Sequence, residues 1–192
     1  MRRSSKFILI AGCVLTAVSL LLLIMLHLQT RRAMRTDAEV VQIMEDILGQ
    51  RREGQLDYER DAEMPALEVS GQDFVALLEI PHYGLKVPVC AVWDRGKVTS
   101  YPCRFHGSAY DGTLIIGGYD QSGQFDFFDR IQDGAPVILT DMTGSEFTYV
   151  VTRVERSKTA QAEVLMAGEA DLTLFVRDAQ LLEYIILRCE AR

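Results

Sequence analysis

One long apolar segment near the amino terminus constrains this chain more than any other feature of its sequence. Residues 7–28 read FILIAGCVLTAVSLLLLIMLHL and contain no charged side chain. At about 1.5 Å per residue, a helix of this length crosses the ~30 Å hydrocarbon core of a bilayer. A cleaved signal peptide has a shorter apolar region, followed by small residues at the cleavage site, and LHLQTRRAM offers no such site. The sequence therefore predicts an uncleaved transmembrane helix and a single-pass membrane protein.

Charged residues are distributed unevenly around this segment. The chain has 27 acidic residues and a formal net charge of -7, and every Asp and Glu lies after residue 36. An acidic domain repels the phosphate backbone of nucleic acids, so nucleic acid is not an expected partner. The basic residues that flank the apolar segment are Arg2, Arg3, Lys6, Arg31, Arg32 and Arg35. Because they are balanced on its two sides, the positive-inside rule does not decide the orientation.

The composition divides the chain into three segments. Residues 1–35 form the predicted anchor, residues 36–71 a stalk helix and a linker, and residues 72–192 a single domain. Thr36 can cap a helix whose first turn is acidic, which is the favourable end for negative charge. Apolar residues then recur at helical spacing, at Val40, Val41, Ile43, Met44, Ile47 and Leu48. Two interpretations are open: the helix lies against the domain or the membrane surface, or it pairs with a second copy or another partner.

The domain is predicted to be mainly β. Short apolar runs alternate with turn signals that contain glycine, a pattern that is typical of a closed antiparallel β-barrel. One or two short helices are expected, one of them over residues 125–131. The predicted strands cover residues 74–80, 85–93, 113–119, 135–141, 146–155, 172–176 and 183–189.

Several short motifs follow one another along the chain in an order that is typical of one protein family. Residues 78–89 read LEIPHYGLKVPV, which is similar to the family pattern L-x-I-P-x-x-x-L-x-x-P-V. The other similar stretches are HGSAYDGT at 106–113, GGY at 117–119, FDFF at 125–128, GAPVILTD at 134–141, LTLFVR at 172–177 and YIIL at 184–187. Over residues 74–189 the chain therefore resembles a sortase, one of the surface-protein transpeptidases of Gram-positive bacteria. The resemblance implies a sortase-like barrel, a cytoplasmic N-terminus and an extracellular C-terminal domain on the cell membrane.

The chain departs from the family at the positions that carry out the reaction. Sortases attack a peptide with a cysteine, use a histidine as acid or base, and stabilise the developing oxyanion with an arginine. In this sequence Tyr119 stands in the histidine slot, Arg177 in the cysteine slot and Tyr184 in the arginine slot. A guanidinium stays protonated and cannot act as a nucleophile, and a phenol with a pKa near 10 is a poor proton shuttle. The sequence predicts a non-catalytic pseudo-sortase that acts in binding or as an accessory to surface-protein assembly.

Alternatives remain for this site. Cys103 and His106 are three residues apart and can be read as a displaced nucleophile and base of an active cysteine transpeptidase or peptidase. The replaced trio forms either a binding surface for a peptide or cell-wall ligand, or a neutral patch in which Asp120 or Asp178 pairs with Arg177. Another sortase or a surface protein is a further candidate partner.

The four cysteines, Cys13, Cys90, Cys103 and Cys189, have no zinc-site spacing. No metal or other cofactor is predicted. A disulfide from Cys189 to Cys90 or to Cys103 is one alternative, and small buried apolar residues are the other.

Overall fold

The computed structural model of this chain describes residues 15–22, 38–49, 63–178 and 181–192. Residues 15–22 are helical and exposed. The rest of the predicted span 7–28 lies outside the described residues, so the transmembrane helix stays a prediction. None of the helices in the described ranges is both long enough and apolar enough to cross a bilayer.

Nine β-strands and two short stretches of α-helix build the remainder of the described chain. Helix α1 covers residues 38–49 and helix α2 covers Ala162–Met166. The strands are β1 Leu67–Val69, β2 Gln72–Ile80, β3 Leu85–Cys90, β4 Cys103–His106, β5 Leu114–Tyr119, β6 Pro136–Asp141, β7 Glu146–Ser157, β8 Leu172–Arg177 and β9 Tyr184–Ala191.

These strands form one sheet that closes on itself. The order is β1-β2-β3-β4-β5-β8-β9-β7-β6, and β2 also pairs with β6. Strands β2 to β9 therefore make an eight-stranded barrel, with β1 as an added hairpin arm on β2. The prediction of a mainly β barrel with few helices is confirmed.

Two junctions of the barrel are parallel, so the prediction of an antiparallel barrel is wrong in this respect. Strand β3 runs parallel to β4, and β5 runs parallel to β8. A parallel neighbour requires a long crossover. The connection of residues 91–102, with a 3-10 helix at Lys97–Thr99, provides it for β3 and β4, while β6, β7 and α2 intervene between β5 and β8. Apolar residues alternate with the same period in parallel and antiparallel strands, so the sequence pattern cannot distinguish the two arrangements.

Three local elements differ from the sequence-based expectation. Strand β1 lies where a linker was predicted, and its hairpin turn places Ser70 and Gly71 at φ 54° and 79°. Strand β4 lies in a stretch for which no strand was predicted. The helix predicted over residues 125–131 is a run of turns with one 3-10 helix, Phe128–Arg130.

The barrel interior is filled by apolar side chains that alternate along each strand. Ile116 on β5, Leu174 on β8 and Leu187 on β9 belong to this interior cluster and are fully buried. The residues next to them in sequence point to the outer face. The outer face of β5, β8 and β9 is the surface that positions the candidate site.

Helix α1 packs on a different part of the barrel wall. Val40, Met44 and Leu48 recur every four residues on one face of the helix and are buried in a cluster with Phe74 and Leu77 of β2. Glu45 of the same helix forms an ion pair with Lys86 on β3. The apolar stripe seen in the sequence therefore lies against the domain, which is the first of the two interpretations.

Candidate functional site

The three positions that the sequence motifs assign to the catalytic slots, Tyr119, Arg177 and Tyr184, lie side by side on adjacent strands. Tyr119 at the end of β5 is the ladder partner of Arg177 at the end of β8. Arg177 is in turn the ladder partner of Tyr184 at the start of β9. Neighbouring strands are about 4.8 Å apart, so the three side chains form one row across the barrel wall. The slots assigned from separate sequence motifs thus belong to one site.

This row faces outward. Phe175 on β8 and Ile186 on β9 lie two residues away from Arg177 and Tyr184, and both belong to a cluster on the outer face. The Tyr119 side chain is 46% exposed, Arg177 is exposed and Tyr184 is half-buried. A ligand in solution can therefore contact all three.

An aromatic wall borders the row on one side. The rings of Trp93, Phe105 and Phe175 contact one another, with centroid distances of 5.3, 5.6 and 5.5 Å, and Phe175 lies 6.4 Å from the ring of Tyr184. Gly117 makes this packing possible, because a Cβ there would lie 2.5 Å from both Trp93 and Phe175. The rings thus cover the outer face of β5 immediately before Tyr119. The sequence analysis assigned no role to Trp93 or Phe105. It placed Trp93 at the end of a strand predicted over residues 85–93, whereas β3 ends at Cys90, and β4, which carries Phe105, is only four residues long.

Arg177 carries the positive charge of the site. Asp178, which was considered as its partner, instead forms an ion pair with Arg156, with Nη1 and Oδ2 3.3 Å apart. The second carboxylate oxygen of Asp178 accepts a hydrogen bond from the Leu181 amide at 2.9 Å. Arg177 forms no ion pair with any other residue that the structure describes. Arg177 is exposed, so an anionic group in solution can reach its guanidinium.

The alternative pair, Cys103 and His106, is not brought together. Cys103 is fully buried in the cluster beneath α1, and its Sγ donates to the Tyr101 carbonyl oxygen at 3.3 Å. His106 is exposed at the other end of β4 and lines a surface cavity of about 570 Å³. The sulfur and the imidazole thus face different environments, and the geometry provides no nucleophile and base pair.

Cys103 has a different neighbour, namely Cys90 on β3. The two residues are ladder partners, and a hydrogen bond between their side chains raises the pKa of Cys90, which burial raises further, and lowers the pKa of Cys103. Cys189 lies in the barrel interior, where burial raises its pKa to about 12. All three thiols are free in this structure, and the ladder partners of Cys189 are Val151 and Leu172, so neither cysteine considered as its disulfide partner lies opposite it.

No group of three metal-ligating side chains is found in the described ranges. The row and its aromatic wall can contact a ligand through the guanidinium of Arg177 and through several aromatic ring faces. That is the chemistry of a binding surface for an anionic or aromatic group.

Comparison with known proteins identifies the family. A family model described as the sortase domain matches residues 78–176, more than half of the chain, and the chain therefore belongs to the sortase family. The resemblance that the motifs predicted is confirmed. Comparison with the curated proteins gives no match.

Solved sortase structures share the fold at low sequence identity. A lid mutant of sortase A from Corynebacterium diphtheriae is 15% identical, with 81% of this chain and 95% of that chain covered and a TM-score of 0.55. Sortase C-3 from Streptococcus pneumoniae is 16% identical, with 81% and 84% covered and a TM-score of 0.56. Sortase E from Streptomyces avermitilis is 20% identical, with 62% and 88% covered and a TM-score of 0.51. At these identities the likeness shows the fold alone.

Asp94 closes the turn that directly follows Trp93 in the chain, which yields a pH prediction. Its Oδ1 accepts hydrogen bonds from the backbone amides of Lys97 at 2.9 Å and Gly96 at 2.7 Å, and these bonds lower its pKa below the ordinary value of 3.8. The stabilisation is present above the ordinary pKa and is lost as the pH falls through the lowered one. We expect the fluorescence of Trp93, the single tryptophan, to change with a midpoint below 3.8. Asp94→Asn keeps an acceptor but cannot titrate, so an unchanged midpoint in that variant would contradict the assignment.

Proposed function

We propose that this member of the sortase family is a membrane-anchored protein that binds a ligand and does not catalyse transpeptidation. The N-terminus lies in the cytoplasm and the barrel lies outside the cell. The apolar segment 7–28 supports the anchor, and the family resemblance supports the orientation. The protein serves as an accessory to surface-protein assembly, with another sortase or a surface protein as its partner.

The observation that carries this proposal is the row formed by Tyr119, Arg177 and Tyr184. Acyl transfer needs a nucleophile that can hold the acyl group, and an acid or base beside it. The three positions that meet on the barrel wall offer two phenols and a guanidinium. The thiols of Cys90, Cys103 and Cys189 are fully buried away from this row.

The same row supports binding of a peptide or cell-wall ligand that carries a carboxylate. Arg177 is exposed and has no ion-pair partner among the described residues, and a guanidinium binds a carboxylate through two parallel hydrogen bonds. The phenols on either side can donate to the same group, while Phe175 and Trp93 offer apolar surface to an adjoining side chain or sugar ring. We therefore place the carboxylate at Arg177 and the rest of the ligand along the aromatic wall.

Titration of the full-length protein in detergent with sorting-signal peptides tests this proposal. Each peptide is used with a free C-terminal carboxylate and as the carboxamide, and binding is followed by the fluorescence of Trp93 and by calorimetry. A charge-assisted pair contributes about 1.5–3 kcal/mol, so we expect Arg177→Ala to weaken carboxylate binding roughly 10- to 100-fold. Arg177→Lys retains the charge but cannot form two parallel hydrogen bonds. Its affinity for the carboxylate peptide should lie between those of the wild-type protein and Arg177→Ala.

A matched control and a mass measurement complete the experiment. Arg153→Ala removes an exposed arginine of β7, whose side chain is 70% exposed beside Glu155, and should leave binding unchanged. Equal affinity for the acid and amide peptides, or equal losses in both arginine variants, would remove the carboxylate assignment. Intact-mass analysis should show no acyl adduct on the wild-type chain. An adduct that disappears in Cys103→Ala would establish the displaced enzyme instead.

A further inference from the structure

We infer that Cys90 and Cys103 form a disulfide that joins β3 to β4. This modification site does not depend on what the Arg177 row binds. It also differs from the pairings considered from the sequence, both of which involve Cys189.

The backbone places the two cysteines directly opposite each other. Cys90 ends β3, Cys103 begins β4, and they are ladder partners in a parallel pair. Adjacent strands are about 4.8 Å apart, within the Cα separation of roughly 4.4–6.8 Å that disulfides span. Both side chains belong to the same buried cluster, so they point to the same face of the sheet. Cys189 belongs to the interior cluster and its ladder partners are Val151 and Leu172.

The junction that this bond would strengthen is the weakest in the barrel. Cys90 and Cys103 are the single ladder pair between β3 and β4, and the Cys90 amide donates to the Pro102 carbonyl oxygen at 2.8 Å. Every other junction of the described barrel has at least three ladder pairs. A disulfide here closes a short loop, residues 91–102, which carries Trp93 and Asp94. The bond therefore fixes both the barrel seam and the aromatic wall.

The chemistry is a two-electron oxidation by a disulfide donor such as oxidised glutathione. The Cys103 thiolate attacks one sulfur of the donor, which forms a mixed disulfide and releases one glutathione thiolate. The Cys90 thiolate then attacks the Cys103 sulfur, which forms the Cys90–Cys103 bond and releases the second glutathione thiolate. The two thiol protons pass to the released thiolates. Because α1 covers both sulfurs, the exchange takes place during folding, before the cluster beneath α1 closes.

Refolding of the full-length chain in detergent, in a buffer of oxidised and reduced glutathione, tests the inference directly. Free thiols are then alkylated in denaturant, and the chain is digested with trypsin. Cleavage after lysine and arginine puts Cys90 in peptide 87–95, Cys103 in peptide 98–104 and Cys189 in peptide 189–192. We expect one cross-linked product, between peptides 87–95 and 98–104, with Cys189 alkylated. The oxidised protein should melt about 5–10 °C above the reduced one, as expected for a short closed loop in a chain of this size.

Each other outcome counts against the inference. Complete alkylation of Cys90 and Cys103 after refolding, or a cross-link that contains Cys189, would rule the bond out. A cross-link that leaves the melting temperature unchanged on reduction would show that the seam is not strengthened. Cys189→Ala is the matched control: it removes a buried thiol but should retain both the cross-link and the melting difference. The wild-type chain gives the main result, so the test does not rely on the folding of a variant.

Discussion

Asp141→Ala is expected to lower the free energy of unfolding by about 3–5 kcal/mol, a large share of the stability of an ordinary domain. Asp141 ends β6 and is fully buried. Its Oδ2 accepts a hydrogen bond from the Tyr110 hydroxyl at 2.5 Å, which joins two distant parts of the chain. Its Oδ1 accepts from the Thr143 amide at 2.8 Å, the Thr143 hydroxyl at 2.6 Å and the Ser145 amide at 2.9 Å. Asp141→Ala removes all four hydrogen bonds, including the one that the buried Tyr110 hydroxyl donates to Oδ2.

The matched variant for this prediction is Asp141→Asn. Its Oδ1 can keep the three bonds of the β6–β7 turn, and its amide nitrogen can donate to the Tyr110 oxygen, so we expect a loss of only about 1–2 kcal/mol. Urea unfolding of both variants, followed by circular dichroism, measures the difference. If Asp141→Ala and Asp141→Asn lowered the free energy of unfolding by the same small amount, the hydrogen bonds of this side chain would not be what stabilises the β6–β7 turn.

Arg188→Met is expected to cost about 2–4 kcal/mol and to release the connection that contains α2. Arg188 lies on the outer face of β9 and is 4% exposed. Its guanidinium donates to the carbonyl oxygens of Val164, at 2.7 Å, and Leu165, and to the Thr173 hydroxyl at 3.1 Å. Methionine fills part of the volume but leaves those carbonyls without their donor. The main-chain amides of residues 161–168 should exchange with deuterium faster, while those of β2 should not.

Glu155→Gln is the control that separates charge from anchoring. Arg188 Nε and Glu155 Oε2 are 3.2 Å apart, and the Glu155 side chain is 31% exposed, so the ion pair is partly screened by solvent. We expect glutamine to cost less than about 1 kcal/mol, with no change in exchange over residues 161–168. Equal effects in the two variants would assign the stability to the ion pair rather than to the carbonyl contacts.

The strands and the family followed from local patterns in the sequence. Most of the predicted strands that the structure retains have a run of alternating or continuous apolar residues beside a glycine-containing turn, as in residues 146–155 and β7. The strand predicted over residues 183–189 has the apolar run without a neighbouring glycine. The order of the motifs also led to the prediction that Tyr119, Arg177 and Tyr184 occupy the catalytic slots, and the ladder pairs of β5, β8 and β9 bring these three residues together. Motif order carries this information because it fixes the position of each strand end in the fold.

What the sequence did not predict depends on contacts between parts of the chain that have no periodic signal. Trp93 reaches Phe175 only because residues 91–102 fold back along the barrel wall. Cys90 and Cys103 were not distinguished from Cys189 as partners, since spacing along the chain says nothing about which strands are neighbours. Strands β1 and β4 have three and four residues, too few to establish a period. The partner of Asp178 was also unpredictable, because Arg156 reaches it across the barrel wall from the end of β7.

The position of β9 has a consequence for biosynthesis. Strand β9 lies between β7 and β8, so those two strands have no common neighbour until β9 has been made. A nascent chain that lacks β9 exposes two unpaired strand edges, which are sites for pairing with other polypeptides. Closure of this side of the barrel therefore waits for β9, and the edges of β7 and β8 stay open to pairing with other polypeptides until that strand is in place.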